Sequence, residues 1–343
     1  MRIVPIVKLR ADSKLALDVF NEAGQLVLAK NTILNQSNLS ELKKAKISSV
    51  YITDQYCYCD TPTKYMANSD HMMSKISILK KMIANVALGV SNNETLISAI
   101  ELVNEIVQYY YSNQNNLELV YEDAKIEGNV MEEKIICVAM ISTLFALKLG
   151  LKPRAAAAVC LAALLKDVAL VTPSIKWING ETNKHHPKKA YEYLKQNYNL
   201  PDDVLNIILA HEELYDGSGY PNQLKGEAIP TGARIITIIE TYYNSKMNFR
   251  DNCLQLESDF VKKTYTLDPG YLEVFRENTN VYEPNTLVEL TTGDIAVVIN
   301  KPSLNSFQPN IQIIRSKSYD VGSELCLAKV FNVNIQKIIY YID

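Results

Sequence analysis

Across residues 69–280 the apolar side chains recur at three- and four-residue steps, and this restricts the middle of the chain to packed helices. Met73, Ile76, Leu79, Ile83 and Val86 fall on one helical face, and 96–111 and 134–149 repeat the pattern. Pro153 introduces an alanine-rich helix expected over 154–171, its fixed φ suiting a helix start. Pro201-Asp202-Asp203 opens a further helix over 204–213, which runs into the turn Asp216-Gly217-Ser218-Gly219. Another helix follows Ile229-Pro230-Thr231.

On either side the period changes to two. Segments 2–7, 15–20 and 25–29 read as strands, with a turn at Asn21-Glu22-Ala23-Gly24, a short helix from Ser37 and another strand over 47–52. After Glu283-Pro284, the segments 286–290, 295–300, 311–315 and 338–342 read as short strands of a small barrel or sheet. The expected plan is a small α/β domain at 1–55, a linker and helices at 56–114, a helical domain at 115–280 and a β subdomain at 281–343. The polar stretch 53–68 reads as the linker. A chain of 343 residues suits two or three such units.

No stretch approaches the roughly 18 to 20 apolar residues that cross a bilayer, and the first residues turn polar too early for a secretory signal. The expectation is a cytoplasmic protein without a membrane partner. Its six cysteines are scattered, with no CxxC pair; Cys57 and Cys59 form the nearest approach to a soft-metal pair. Thirty-five basic residues stand against 38 acidic ones with no dense Lys/Arg run, which argues against a nucleic-acid polymer but leaves room for a small anion. Histidine is scarce: His71, His185, His186 and His211.

The most specific segment is His211-Glu212-Glu213-Leu214-Tyr215-Asp216-Gly217-Ser218-Gly219-Tyr220-Pro221, continuing through Leu224, Gly226, Ile229-Pro230 and Ala233-Arg234-Ile235. It resembles the signature HHExxDGxGYPxxLxGxxIPxxARI of HD-GYP domains, bacterial phosphodiesterases of cyclic dinucleotides. The resemblance extends more weakly over about 115–280. It implies a mainly α, HD-GYP-type helix bundle that gathers histidines and carboxylates around two or three metal ions.

The family's ligand pattern is only partly kept. Where the family reads AALLHDIGK, this chain has Ala162-Ala163-Leu164-Leu165-Lys166-Asp167-Val168-Ala169-Leu170. The upstream histidine falls on Lys134, or Glu133 if the register slips, and a further glutamate on Val130. His186-Pro187 is retained, the HH pair is Ala210-His211, and the last aspartate is Glu240. Three imidazoles are thus lost. A charged lysine has no lone pair for a metal. The favoured reading has no cofactor, with Lys166, and Lys134 with it, standing where a cation stood beside Asp167 and Glu240. The alternative is one divalent transition metal, Fe or Mn, on Asp167, His186, His211 and Glu240.

The implied function is a non-catalytic signalling protein that binds cyclic di-GMP, with Arg234 on a phosphate and Tyr220, Lys134 and Lys166 lining the site. Asp216, Gly217, Gly219, Tyr220 and Pro221 would form an interaction loop for a partner of the diguanylate cyclase type. A second copy of the chain is a further candidate partner. The alternative is a cyclic di-GMP phosphodiesterase with a reduced, mononuclear site. The tyrosine clusters 109–111 and 242–243 read as core and rim packing in preference to a stacking cleft.

Overall fold

The computed structural model describes the chain apart from residues 22–23, 59–69, 91–92, 116, 118, 120–129, 178–182, 250–251, 304 and 343. Most of the linker reading, and Cys59, lie outside the described residues. So do the side chains of His71 and Val130.

The N-terminal unit contains β1 (Arg2–Pro5), β2 (Lys14–Leu15), β3 (Val19–Phe20), β4 (Leu26–Leu28), α1 (Gln36–Lys44) and β5 (Ser49–Thr53). The strand expected over 15–20 is split, because β2 pairs with β5 while β3 pairs with β4. Helix α1 is closed at its start by a reciprocal pair: the Asn35 side chain accepts from the Asn38 N–H at 2.9 Å, and Asn38 accepts from the Asn35 N–H at 3.1 Å. Val4, Leu15, Leu34, Leu42 and Ile52 form the unit's own core, flanked by Tyr340 and Tyr341.

The body is helical: α2 (Asp70–Leu88), α3 (Asn93–Asn113), α4 (Val130–Lys148), α5 (Pro153–Leu165), α6 (Val168–Val171), α7 (His186–Asn197), α8 (Asp202–Ala210), α9 (Thr231–Asn248), α10 (Cys253–Lys263) and α11 (Pro269–Asn278). The alanine-rich α5 lies at the centre, against α3, α4, α8 and α9. Its small side chains let four neighbours approach, and all of its residues from Val159 to Leu165 are buried. The helix expected over 154–171 breaks at Lys166-Asp167 into α5 and α6, and the one expected over 204–213 stops at Ala210. Both breaks bear on the site.

The chain finishes in an antiparallel sheet of order β10-β6-β7-β8-β9, built from β6 (Leu287–Leu290), β7 (Ile295–Val298), β8 (Asn310–Arg315), β9 (Glu324–Cys326) and β10 (Ile335–Ile339). Strand β9 was not expected, and the last strand begins three residues earlier than its pattern suggested. The buried face of this sheet, including Val288, Ala296, Ile311 and Ile313, is continuous with the helical core. The architecture is therefore mainly α, with a small N-terminal α/β unit and a small C-terminal β-rich part. Among the described residues no helix is long and apolar enough to cross a membrane.

Candidate metal and ligand site

Helix α5 ends because Lys166 and Asp167 turn out of its axis. Lys166 still donates its N–H to Ala162 O at 2.8 Å, but Asp167 sits at φ −98°, ψ 8°, outside the helical basin. The turn sends both side chains inward, and Lys166 is only 1% exposed. Its ammonium lies 2.5 Å from Asp167 Oδ2 and 2.8 Å from Glu240 Oε2 on α9. The other oxygen of Glu240 is 2.6 Å from the Lys134 ammonium on α4. An ionic chain Lys134–Glu240–Lys166–Asp167 thus ties three helices.

Burial opposes every charge in that chain, and the partners overcome it. Burial pulls Lys166 down, but the Asp167 and Glu240 carboxylates more than reverse this, so its ammonium is held above the ordinary lysine range. Burial would raise Glu240, yet Lys166 and then Lys134 bring it down to about 2. Asp167 likewise stays well below the usual carboxylate range, through Lys166 and the neighbouring imidazoles, against the effect of burial.

Beside this chain stand His186, at the start of α7, and His211, just past the end of α8. The Nδ1 of His186 is 2.6 Å from Asn183 O, and that of His211 is 2.7 Å from Ile208 O. A carbonyl only accepts, so both Nδ1 atoms carry a proton, and each ring in its neutral form presents an Nε2 lone pair. Those two Nε2 atoms are 2.9 Å apart. Asp167 Oδ1 faces them at 3.3 Å from His186 and 3.6 Å from His211. Two lone pairs at that distance repel unless a proton or a cation lies between them. Burial disfavours protonation of His186, but the Asp167 carboxylate and the Asn183 carbonyl outweigh it and raise its pKa.

The glycine-rich loop closes one side. Glu213, buried, accepts from the N–H groups of Asn222 at 2.6 Å and Leu224 at 3.0 Å. Gly219 passes so close to the chain that a Cβ there would meet Leu214 N at 2.3 Å and Glu213 Cα at 2.5 Å, and no neighbouring side chain could yield to relieve it. Asp216 accepts from the Ser218 N–H at 3.0 Å and hydroxyl at 2.6 Å, and Gly217 adopts φ +88°. Tyr220, half-buried, turns inward, its ring centroid 6.4 Å from that of His186. Burial and the adjacent Glu212 carboxylate push its hydroxyl above the ordinary tyrosine range. The Lys184 ammonium lies 5.9 Å from the Tyr220 ring centroid.

Residues 114–250 match the family model for the HD domain. Over 132 residues the chain is 32% identical to the cyclic di-GMP phosphodiesterase response regulator RpfG of Xanthomonas campestris, covering 38% of this chain and 32% of that protein. It is 25% identical over 232 residues to the cyclic di-GMP phosphodiesterase PA4108 of Pseudomonas aeruginosa, covering 64% and 56%. This helical core is an HD domain of the HD-GYP type. The match thus spans about a third of one curated relative and just over half of the other. Among solved structures, the Bd1817 HDG"Y"P protein of Bdellovibrio bacteriovorus aligns over 80% of this chain and 97% of its own, with 16% identity and a TM-score of 0.46.

Within this HD-GYP core, Asp167, His186 and His211 present ligand atoms that could hold one metal ion. Glu240, expected as a fourth ligand, has both oxygens taken by lysines. Arg234, expected on a phosphate, is held elsewhere: it donates to Asp268 Oδ2 at 2.6 Å and Thr231 Oγ1 at 3.3 Å, and stacks on Tyr271. Its helix position matches the family, but a carboxylate 34 residues away claims its guanidinium. Tyr242 packs against Phe260 and Phe275 in the core, and His185 is exposed. Cys57 Sγ lies 3.6 Å from Asp54 Oδ1. The residue that the sequence reading passed over is Glu212, whose Oε1 is 3.7 Å from His186 Nε2 and 3.8 Å from His211 Nε2. Its signal was the E that follows the histidine pair in the signature HHExxDGxGYP, to which the resemblance attached no role.

Proposed function

We propose that the protein is a signalling module of the HD-GYP type that binds cyclic di-GMP and does not hydrolyse it. The observation that carries this reading is the buried Lys166 ammonium between Asp167 and Glu240. Two-metal phosphodiester hydrolysis needs a pair of cations about 3.5–4 Å apart. Here an ammonium with no lone pair occupies the carboxylates that a second cation would need.

The facing Nε2 atoms of His186 and His211, with Asp167 Oδ1, fit a single divalent transition metal such as Fe or Mn. Such a metal, when bound, would supply a Lewis-acid contact for a phosphate oxygen. The two ideas that the sequence set against each other, a lysine in place of a cation and a surviving mononuclear site, are therefore compatible. Around that position the chain's own residues suit a nucleotide: Tyr220 offers a ring face for a base, and Lys184 a charge beside it. The outer part of the loop, Asp216 to Pro221, remains the proposed docking face for a diguanylate cyclase-type partner.

The facing imidazoles also favour a second reading, a mononuclear cyclic di-GMP phosphodiesterase. Calorimetric titration with cyclic di-GMP, with chromatography of the same mixture for linear product, separates the two. Saturable binding with no product is expected. Turnover that depends on added Mn²⁺ or Fe²⁺ and vanishes in Asp167→Ala would overturn the non-catalytic reading.

A further inference from the structure

We infer that Glu212, at the start of the glycine-rich loop, is a ligand of the single metal and takes over from Glu240, which the lysines have withdrawn. The inference rests on the mononuclear metal position proposed above and assigns its fourth protein ligand.

Three observations lead to it. The first is how the carboxylates are already used. Glu240 gives one oxygen to Lys134 and the other to Lys166. Asp167 gives Oδ2 to Lys166 and keeps Oδ1 for the imidazoles. Glu212 is ion-paired with no lysine or arginine among the described residues, and its Oε1 faces both Nε2 atoms.

The second is spacing. Ligand atoms about 2.0–2.2 Å from one ion, at the angles of octahedral or tetrahedral coordination, lie about 2.8–3.6 Å from one another. The Nε2 pair, at 2.9 Å, already meets this, as do the two Asp167 distances of 3.3 and 3.6 Å. The Glu212 distances of 3.7 and 3.8 Å exceed it by one or two tenths of an ångström, and Glu212 stands outside the Asp167–His186–His211 group, whose ligand atoms all lie within 4.8 Å of one another. Glu212 is 35% exposed at its side chain, so a change of rotamer can bring it to the ion without repacking the core.

The third is charge. Asp167, Glu240 and Glu212 contribute three negative charges, and Lys134 and Lys166 two positive ones, so the cluster without a metal carries one net negative charge. A dication brings it to one net positive charge, which suits a phosphate diester. The Tyr220 hydroxyl adjoins the Glu212 carboxylate, which helps to push it above the ordinary tyrosine range. The glycine-rich loop is thereby tied to the metal through its first residue, and metal binding and loop order become linked.

The test is metal binding by the full chain, independent of any nucleotide turnover. The metal-stripped protein is titrated with Co²⁺, read by visible absorption, and with Mn²⁺, read by electron paramagnetic resonance. Glu212→Gln, which keeps the shape, is expected to weaken both at least tenfold and to change the Co²⁺ spectrum. Glu240→Gln is expected to stay within about threefold of wild type. Circular dichroism of each variant establishes that it is folded; for any variant that is not, Glu212→Asp replaces Gln and is expected to bind with intermediate affinity. Unchanged affinity and spectrum in Glu212→Gln, or a larger loss in Glu240→Gln, overturns the inference. So does a wild-type protein that binds neither ion, its imidazoles then sharing a proton. Cyclic di-GMP titration of the same metal-free sample shows separately whether nucleotide binding survives.

Discussion

Replacing Lys166 by methionine keeps the side chain up to the ammonium position and removes its charge, which isolates the ionic chain Lys134–Glu240–Lys166–Asp167. The substitution strands two buried carboxylates, although Glu240 keeps Lys134 at 2.6 Å and Asp167 keeps the two imidazoles. Breaking a buried pair by removing one partner costs about 3–5 kcal/mol, and the surviving partners place Lys166→Met at the lower end, about 3 kcal/mol. The electrostatics give a similar figure: lowering Glu240 from 4.5 to about 2 corresponds to about 3 kcal/mol, with Lys166 the largest stabilising contributor. For a unit of this size that is a fall of about 6–12 °C in Tm. The measurement is thermal unfolding by circular dichroism at pH 7 in EDTA.

The pH dependence follows from the same groups. A carboxylate with a depressed folded-state pKa stabilises the fold above its unfolded pKa, near 4.5 for Glu240, and loses that contribution as pH falls towards about 2. Lys166, raised, contributes throughout the acid range and loses its effect only in strong alkali. The gap between wild type and Lys166→Met in unfolding free energy, measured by urea titration, should therefore narrow by up to about 2 kcal/mol between pH 7 and pH 3. Adding Glu240→Gln to Lys166→Met should recover part of the loss. A Lys166→Met protein as stable as wild type at pH 7, or a gap that does not change with pH, refutes this account of the ionic chain.

Gly219→Ala should destabilise by about 3 kcal/mol, since the added Cβ meets backbone rather than a side chain that could move; hydrogen exchange at Asn222 and Leu224 would show the loop opening first, and protection equal to wild type would contradict it. Arg234→Ala should lower Tm while leaving cyclic di-GMP affinity within about twofold, because Asp268 and Thr231 already hold the guanidinium; a tenfold loss measured by calorimetry would return Arg234 to the ligand.

What the sequence made legible were features that local chemistry decides. The helical period located the body, and the glycines and prolines after His211 located the loop. Lys166 is flanked by Leu164, Leu165 and Val168, and so apolar a helix leaves a lysine no surface to reach. The misreadings came from helix ends and from long-range partners. The expected helix over 154–171 ignored the turn that lets Lys166 and Asp167 both point inward. The helix expected to Glu213 stops at Ala210, and that stop aims Glu212 at the imidazoles instead of along a helix face. Asp268 and Arg234 are 34 residues apart, and no periodicity links them. Strand β9 is three residues long, too short for an alternating pattern to mark it.

The way Glu213 and Gly219 hold the loop has a consequence for recognition kinetics. With two backbone N–H groups gathered on one buried carboxylate, the loop meets its ordering entropy when the protein folds, not when something docks against it. Little freedom is then left to lose on encounter. Substitutions on its outer rim, such as Ser218 or Gln223, should change how long a bound molecule stays far more than how fast it arrives.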